Sequence, residues 1–133
     1  MSVPTANTRP LEVARAFADA YARGDAEAAA ELLAPDVHER EIVPGGIVDQ
    51  RGREAVVAEA VEFLRPYGQP EILAHVVEPL GPLVRWSTRW GLRGRGGTAQ
   101  IEWHAFLTVE NGLITRLDAV CSGVVAGLEA PDA

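Results

Sequence analysis

The chain has 133 residues, 47% of them hydrophobic, with a formal net charge of −7 and a pI near 4.9. That length suits one domain, residues 1–133 with a core over about 10–125 and short termini, and the apolar content is enough to bury a core. The acidic balance argues against nucleic acid or an anionic membrane surface as partner, and the single cysteine, Cys121, leaves no intrachain disulfide to form.

In chain order, the N-terminal segment MSVPTANTRP has no apolar signal core, and no apolar run reaches the ~18 residues of a membrane span. A cytoplasmic protein in a reducing compartment is therefore expected. From Pro10 to Arg23, Leu11, Ala14, Phe17, Ala18 and Tyr21 fall on one helical face, with Pro10 suited to a first turn and Gly24 to a stop. Asp25 caps a second predicted helix, Ala26 to Leu33, ended by Pro35. Val37 to Val43 reads as a short strand, followed by a turn or bulge at Pro44-Gly45-Gly46. Gly52 and Arg53 lead into a third helix, with Val56, Val57, Ala60, Phe63 and Leu64 as its apolar face and Pro66 and Gly68 as its end.

Strand patterns then take over: Ile72 to Glu78, Leu83 to Leu92, Thr98 to Val109 and Leu113 to Val120. Gly94-Arg95-Gly96-Gly97 reads as a hairpin loop, Asn111-Gly112 as a tight turn and Gly127 to Ala133 as a tail. Helices first and a meander of strands afterwards argue for an α+β fold, with helices on one face of a curved antiparallel sheet.

The strand at Val37 to Val43 carries the first chemistry. Alternate residues of a strand point to opposite faces, so Glu39 and Glu41 share one side and His38 and Arg40 the other. A one-residue slip exchanges the two sets, and either polar pair can be the one that faces inward. A buried carboxylate needs a partner or shifts its pKa.

The element order, with Tyr21-Ala22-Arg23-Gly24-Asp25, Leu32-Leu33-Ala34-Pro35-Asp36-Val37, Gly52-Arg53-Glu54-Ala55-Val56 and Glu110-Asn111-Gly112-Leu113-Ile114, resembles the nuclear transport factor 2-like superfamily. Within it the chain is most similar to the SnoaL-like polyketide cyclase, ketosteroid isomerase-like and limonene epoxide hydrolase-like branches, over roughly residues 10 to 125. The resemblance implies three N-terminal helices and a cone-shaped, strongly bent antiparallel or mixed sheet enclosing a pocket. It places Glu41 where the isomerases carry their proton-shuttling carboxylate and Glu39 beside it. It places His104, on a face with Glu102 and Phe106, at the oxyanion-hole acid of the isomerases. The isomerases' helix-1 tyrosine matches Phe17, and Tyr21 lies one turn on. The general-acid aspartate of the cyclases and epoxide hydrolases matches Ser122, with Asp118 on the same strand parity. The epoxide hydrolases' Arg-x-Asp is missing from Arg85-Trp86-Ser87-Thr88-Arg89.

The expected site therefore has Glu41, His104, Asp118 and Glu39 as acid–base residues. Trp86, Trp90, Phe17, Tyr21, Phe63, Phe106, Glu102 and Ser122 are the expected substrate contacts. No metal or other cofactor is expected, since the histidines, His38, His75 and His104, are scattered and no nucleotide or metal motif is present. The reading is a cofactor-independent isomerase or cyclase on an apolar, polyketide-like or carbonyl small molecule. The alternatives are an epoxide hydrolase or epoxide-opening cyclase, and a non-catalytic binding or dimerisation domain. The resemblance also implies a homodimer through the outer sheet face, where Arg85 and Arg89 are expected.

Overall fold

The computed structural model describes residues 8–94 and 97–126. Helix α1 (Thr8–Ala22) and the short α2 (Ala26–Glu31) precede strand β1 (Leu33–Val43) and strand β2 (Gly46–Arg51). Helix α3 (Arg53–Leu64) follows, then β3 (Glu71–Leu80), β4 (Leu83–Gly94), β5 (Gly97–Glu110), β6 (Leu113–Cys121) and the two-residue β7 (Val125–Ala126). The sheet runs β2-β1-β6-β5-β4-β3, with β7 added to β5. It is mixed, curled and unclosed: β1 lies parallel to β6, and every other pairing is antiparallel.

Three local differences from the sequence reading have physical causes. Helix α2 stops at Glu31 because Leu33 is already drawn into the sheet, paired with Ile114, while the Leu32 carbonyl accepts from Ile114 N at 2.8 Å. Pro35 then removes a donor from β1, and the β1–β6 ladder shifts register between Leu33 and His38, where a missing N–H costs nothing. Residues 46–51 form a second strand where a loop was read. Gly45, at φ +86°, supplies the left-handed turn that folds β2 back along β1, pairing Glu41 with Val48 and Glu39 with Gln50. The hairpin read at Gly94 to Gly97 is closed by a Gly94–Gly97 pair, while Arg95, Gly96 and the tail Gly127 to Ala133 lie outside the described residues.

All three helices pack on one face of the sheet. Helix α1 crosses β3 to β6, and α3 lies against β1 and β2. The inward side chains are Val84, Trp86, Thr88, Trp90 and Leu92 on β4, Ile101, Trp103, Ala105 and Leu107 on β5, and Leu117, Ala119 and Cys121 on β6. Phe17, only 1% exposed, sets its ring edge-on to Trp86 at 5.9 Å and against Tyr21 at 5.6 Å. These offset and edge-on contacts suit the ring quadrupoles and fix the positions of the indoles. Among the described residues no helix is long and apolar enough to cross a membrane.

Truncating Phe17 would unseat both Tyr21 and Trp86. Phe17→Ala is expected to lower unfolding free energy by about 3–5 kcal/mol, read as a lower denaturation midpoint at unchanged slope; a loss below about 1 kcal/mol would contradict this packing role.

Candidate active site

Beneath α1 and α3 lies a small cavity of about 50 Å³, walled by Tyr21, Phe63, Trp90 and Trp103 and reached by Glu41, Glu59 and Cys121. Tyr21, Ala60 and Leu64 are shared with a wider cleft of about 260 Å³ that opens between α2 and α3. Strand β1 turns Glu39 and Glu41 inward, leaving them 5% and 3% exposed, and puts His38, Arg40 and Ile42 on the outer side. His38 there bonds Asp49 at 2.7 Å. The carboxylate pair, rather than His38 and Arg40, is thus the pair that faces the helices.

A third carboxylate joins them. Glu59 sits on α3 within the stripe Val56, Ala60, Phe63, and one oxygen from each of Glu39, Glu41 and Glu59 lies within 4.8 Å of the others. Sequence reasoning passed over Glu59, although its spacing of three from Val56 and four from Phe63 marks it as a charge on an apolar face.

The three carboxyls differ in their surroundings, and that difference separates their proton affinities. Glu39 Oε1 is buried without a hydrogen-bond partner. Burial first, then Glu59 and Glu41, pushes the Glu39 carboxyl up to about 8. Glu41 is also raised by burial, but Trp103 Nε1 donates to its Oε2 at 2.7 Å and the Cys121 thiol bonds it too, and both hold the ionised form. Burial raises Glu59 as well. The Tyr21 phenol is lifted well above its ordinary value by burial and then by Glu39, Glu59 and Glu41, and burial pushes the Cys121 thiol up to about 11. The arrangement thus sets a carboxyl that favours its protonated form, Glu39, beside one whose ionised form the Trp103 indole supports, Glu41: a donor and an acceptor at close quarters.

Much of the expected constellation lies elsewhere. His104, Glu102 and Phe106 share a face, as read, but it is the outer one. Burial of Ile101, Ala105 and Leu107 decides the orientation of β5, and His104 Nδ1 bonds Ser87 Oγ at 3.0 Å on the far side. Glu102 pairs with Arg89 there at 3.1 Å. Asp118 is likewise outward, because Leu117 and Ala119 fill the inner side of β6; it is gripped by Arg116 through two bonds of 2.7 and 3.0 Å. Ser122 is exposed past the end of β6, accepting from Glu102 N and donating to Gly123 O. Phe17 and Trp86 face inward but stand behind Tyr21, Trp90 and Trp103 as core. Tyr21, Trp90 and Phe63 do line the cavity, Phe63 at its half-open rim. Trp103, on the opposite face of β5 from His104, holds Glu41.

A family model described as the SnoaL-like domain matches residues 14–117. The chain belongs to this family. Among solved structures, this SnoaL-like domain is similar to a candidate polyketide cyclase of Xanthomonas campestris pv. campestris, at 23% identity and TM-score 0.74, over 87% of this chain and 92% of that one. A candidate polyketide cyclase of Pseudomonas putida is similar at 22% identity and TM-score 0.69, over 88% and 91% of the two chains. A protein of ketosteroid isomerase-like fold from Catenulispora acidiphila, in complex with trimethylamine, is similar at 17% identity and TM-score 0.67, over 84% and 86%. At these identities the likeness shows the shared fold. No curated protein matches the SnoaL-like chain.

The raised carboxyl has a thermodynamic consequence. An unfolded Glu39 titrates at its ordinary 4.5 and the folded one at about 8. Between those values the folded state binds the extra proton, so stability falls as pH rises through that window. Glu39→Gln removes the titration. The variant should gain thermal stability over the wild type above about pH 8 and lose that advantage near about pH 5. Equal melting shifts at both pH values would show that Glu39 is ionised throughout.

Proposed function

We propose that this SnoaL-like domain is a cofactor-independent acid–base enzyme of the isomerase or cyclase type, acting on an apolar carbonyl compound of polyketide kind. One observation carries the reading: two adjacent buried carboxyls, Glu39 without a hydrogen-bond partner for its Oε1 and Glu41 held by the Trp103 indole, with Glu41 on the wall of an aromatic-lined cavity. Glu41, fixed by the Trp103 indole, is the base that takes a proton from the carbon beside the carbonyl. Glu39, buried beside it and carrying a proton, donates to the carbonyl oxygen as negative charge develops there. The resulting enol returns its O–H proton to Glu39 while either taking the proton held by Glu41 at the far carbon of a conjugated dienol, or attacking a second carbonyl whose oxygen takes that proton as the ring closes. The family and the cyclase-like neighbours support this class of chemistry. His104 and Asp118 have no part in it.

We also propose a homodimer through the outer sheet face. That face leaves Ile42, Val76 and Val120 exposed at 52, 44 and 46%. Around them stand Arg40, Arg85 and Arg89 with Glu78, Glu102 and Asp118, both signs of charge on one surface. A patch of mixed sign with apolar spots can match its own copy across a two-fold axis.

Two measurements test these readings. With a panel of cyclic ketones and 1,3-diketones in deuterated water, the protein should accelerate hydrogen exchange at the carbon beside the carbonyl. Glu41→Gln should cut that exchange by roughly 10²-fold or more, in line with the contribution of a positioned acid–base group, while His104→Ala leaves it unchanged. Exchange that survives Glu41→Gln would remove the proposed base. Sedimentation at micromolar concentration should give about twice the 14.2 kDa of one chain, and Val120→Arg should return the monomer; a wild-type monomer would refute the dimer.

A further inference from the structure

The acid–base reading uses two carboxylates, yet the buried cluster holds three, and Glu41 and Glu59 line the cavity itself. Glu41 and Glu59 both line one small, largely apolar space, within reach of Glu39, where negative charge on any of the three is costly. Among the described residues no arginine or histidine lines that cavity, and none forms a salt bridge with Glu39, Glu41 or Glu59. Glu39, 95% buried by its 5% exposure, keeps an oxygen without a partner inside the cluster. Charge of one sign, desolvated and unpaired, is complementary to a cation that arrives with the ligand.

The walls decide which kind of cation. A hard divalent ion takes six or more oxygen ligands or retains its water. Beyond the carboxylates, the Tyr21 hydroxyl and the Cys121 thiol, the lining here is Trp90, Trp103, Phe63 and aliphatic side chains. An alkylammonium group has the opposite needs: one carboxylate for its charge and aromatic faces for its polarised methyl groups. The cavity, at about 50 Å³, has room for a head group of roughly three or four heavy atoms on the measure by which one water needs ~10–15 Å³. The adjoining cleft of about 260 Å³, lined by Ala29, Val57, Val61 and Leu64, suits an apolar remainder.

We propose that the substrate carries a protonated or quaternary amine, and that Glu59 is the residue that recognises it, with Tyr21 and Trp90 against the alkyl groups. This rests on the acid–base reading of the same site and narrows its substrate to a carbonyl compound whose otherwise apolar body bears a cationic amine. Glu59 makes the ion pair and leaves Glu41 free to act on a neighbouring C–H bond. The adjacent positive charge makes that C–H bond more acidic.

Choline and its neutral carbon isostere, 3,3-dimethylbutan-1-ol, test the point, since they share a shape and differ in charge. Titration of each into the wild-type chain, followed on the indole N–H resonances, should show choline binding at least about tenfold more tightly. Glu59→Gln should abolish that preference while leaving the affinity for the isostere unchanged. Equal affinities, preference for the isostere, no indole shift with either compound, or a choline preference that survives Glu59→Gln would each overturn the proposal. The wild-type comparison needs no variant to fold. It is also independent of the exchange assay: ketone exchange without a choline preference removes the amine and leaves the acid–base reading, while a choline preference without exchange does the reverse.

Discussion

A carboxylate taken out of water without a cation must keep its proton or find donors, and the arrangement of this fold follows from that constraint. Glu39 takes the first course, its Oε1 unpartnered and its carboxyl pushed up to about 8. Glu41 takes the second, through Trp103 and Cys121. Neither solution survives if β1 slips by one residue, because the pleat would carry both side chains to the outer face. The β1 register is held from two sides, by the hairpin with β2 and the parallel ladder with β6, so the pair is fixed by backbone pairing rather than by side-chain packing alone.

The aromatic cluster serves packing and chemistry at once. Trp103 touches Tyr21, Trp86 and Trp90 at centroid distances of 5.1, 5.8 and 5.9 Å, which fixes the indole that donates to Glu41. A donor held by several rings cannot swing away when the carboxylate changes charge, and preorganised donors of this kind are worth more than mobile ones. The cost appears at Trp86 and Trp90, whose indole N–H groups are buried without acceptors.

The order of helices and strands was legible because its signals are local. Helical spacing around Phe17, the Gly24 stop, the Asp25 cap and the Asn111-Gly112 turn each depend on a few neighbouring residues. Relative parity along each strand was legible for the same reason: Glu39 goes with Glu41, and His104 with Glu102 and Phe106. The absolute face of β5 and β6 is a different kind of fact, set by which side buries more apolar mass. On β5 the indole of Trp103 with Ile101 and Leu107 outweighs Phe106. On β6, β1 decides: Glu41 pairs with Ala119 and Arg40 with Asp118, so inward glutamates force Asp118 outward. That pairing is parallel and long-range, and nothing in either segment announces it. Strand β2 escaped notice because an edge strand bearing Asp49 and Arg51 between glycines reads as a loop.

The thiol of Cys121 adds a property of another kind. At about 11 its pKa leaves roughly one molecule in ten thousand as thiolate at neutral pH. Unsaturated carbonyl compounds, the products that loss of water after ring closure generates, are electrophiles that capture thiolates. Here the sulfur is buried beside Glu41 and keeps its proton. The burial that shapes the carboxyl cluster thus also keeps the one sulfur in its unreactive, protonated form.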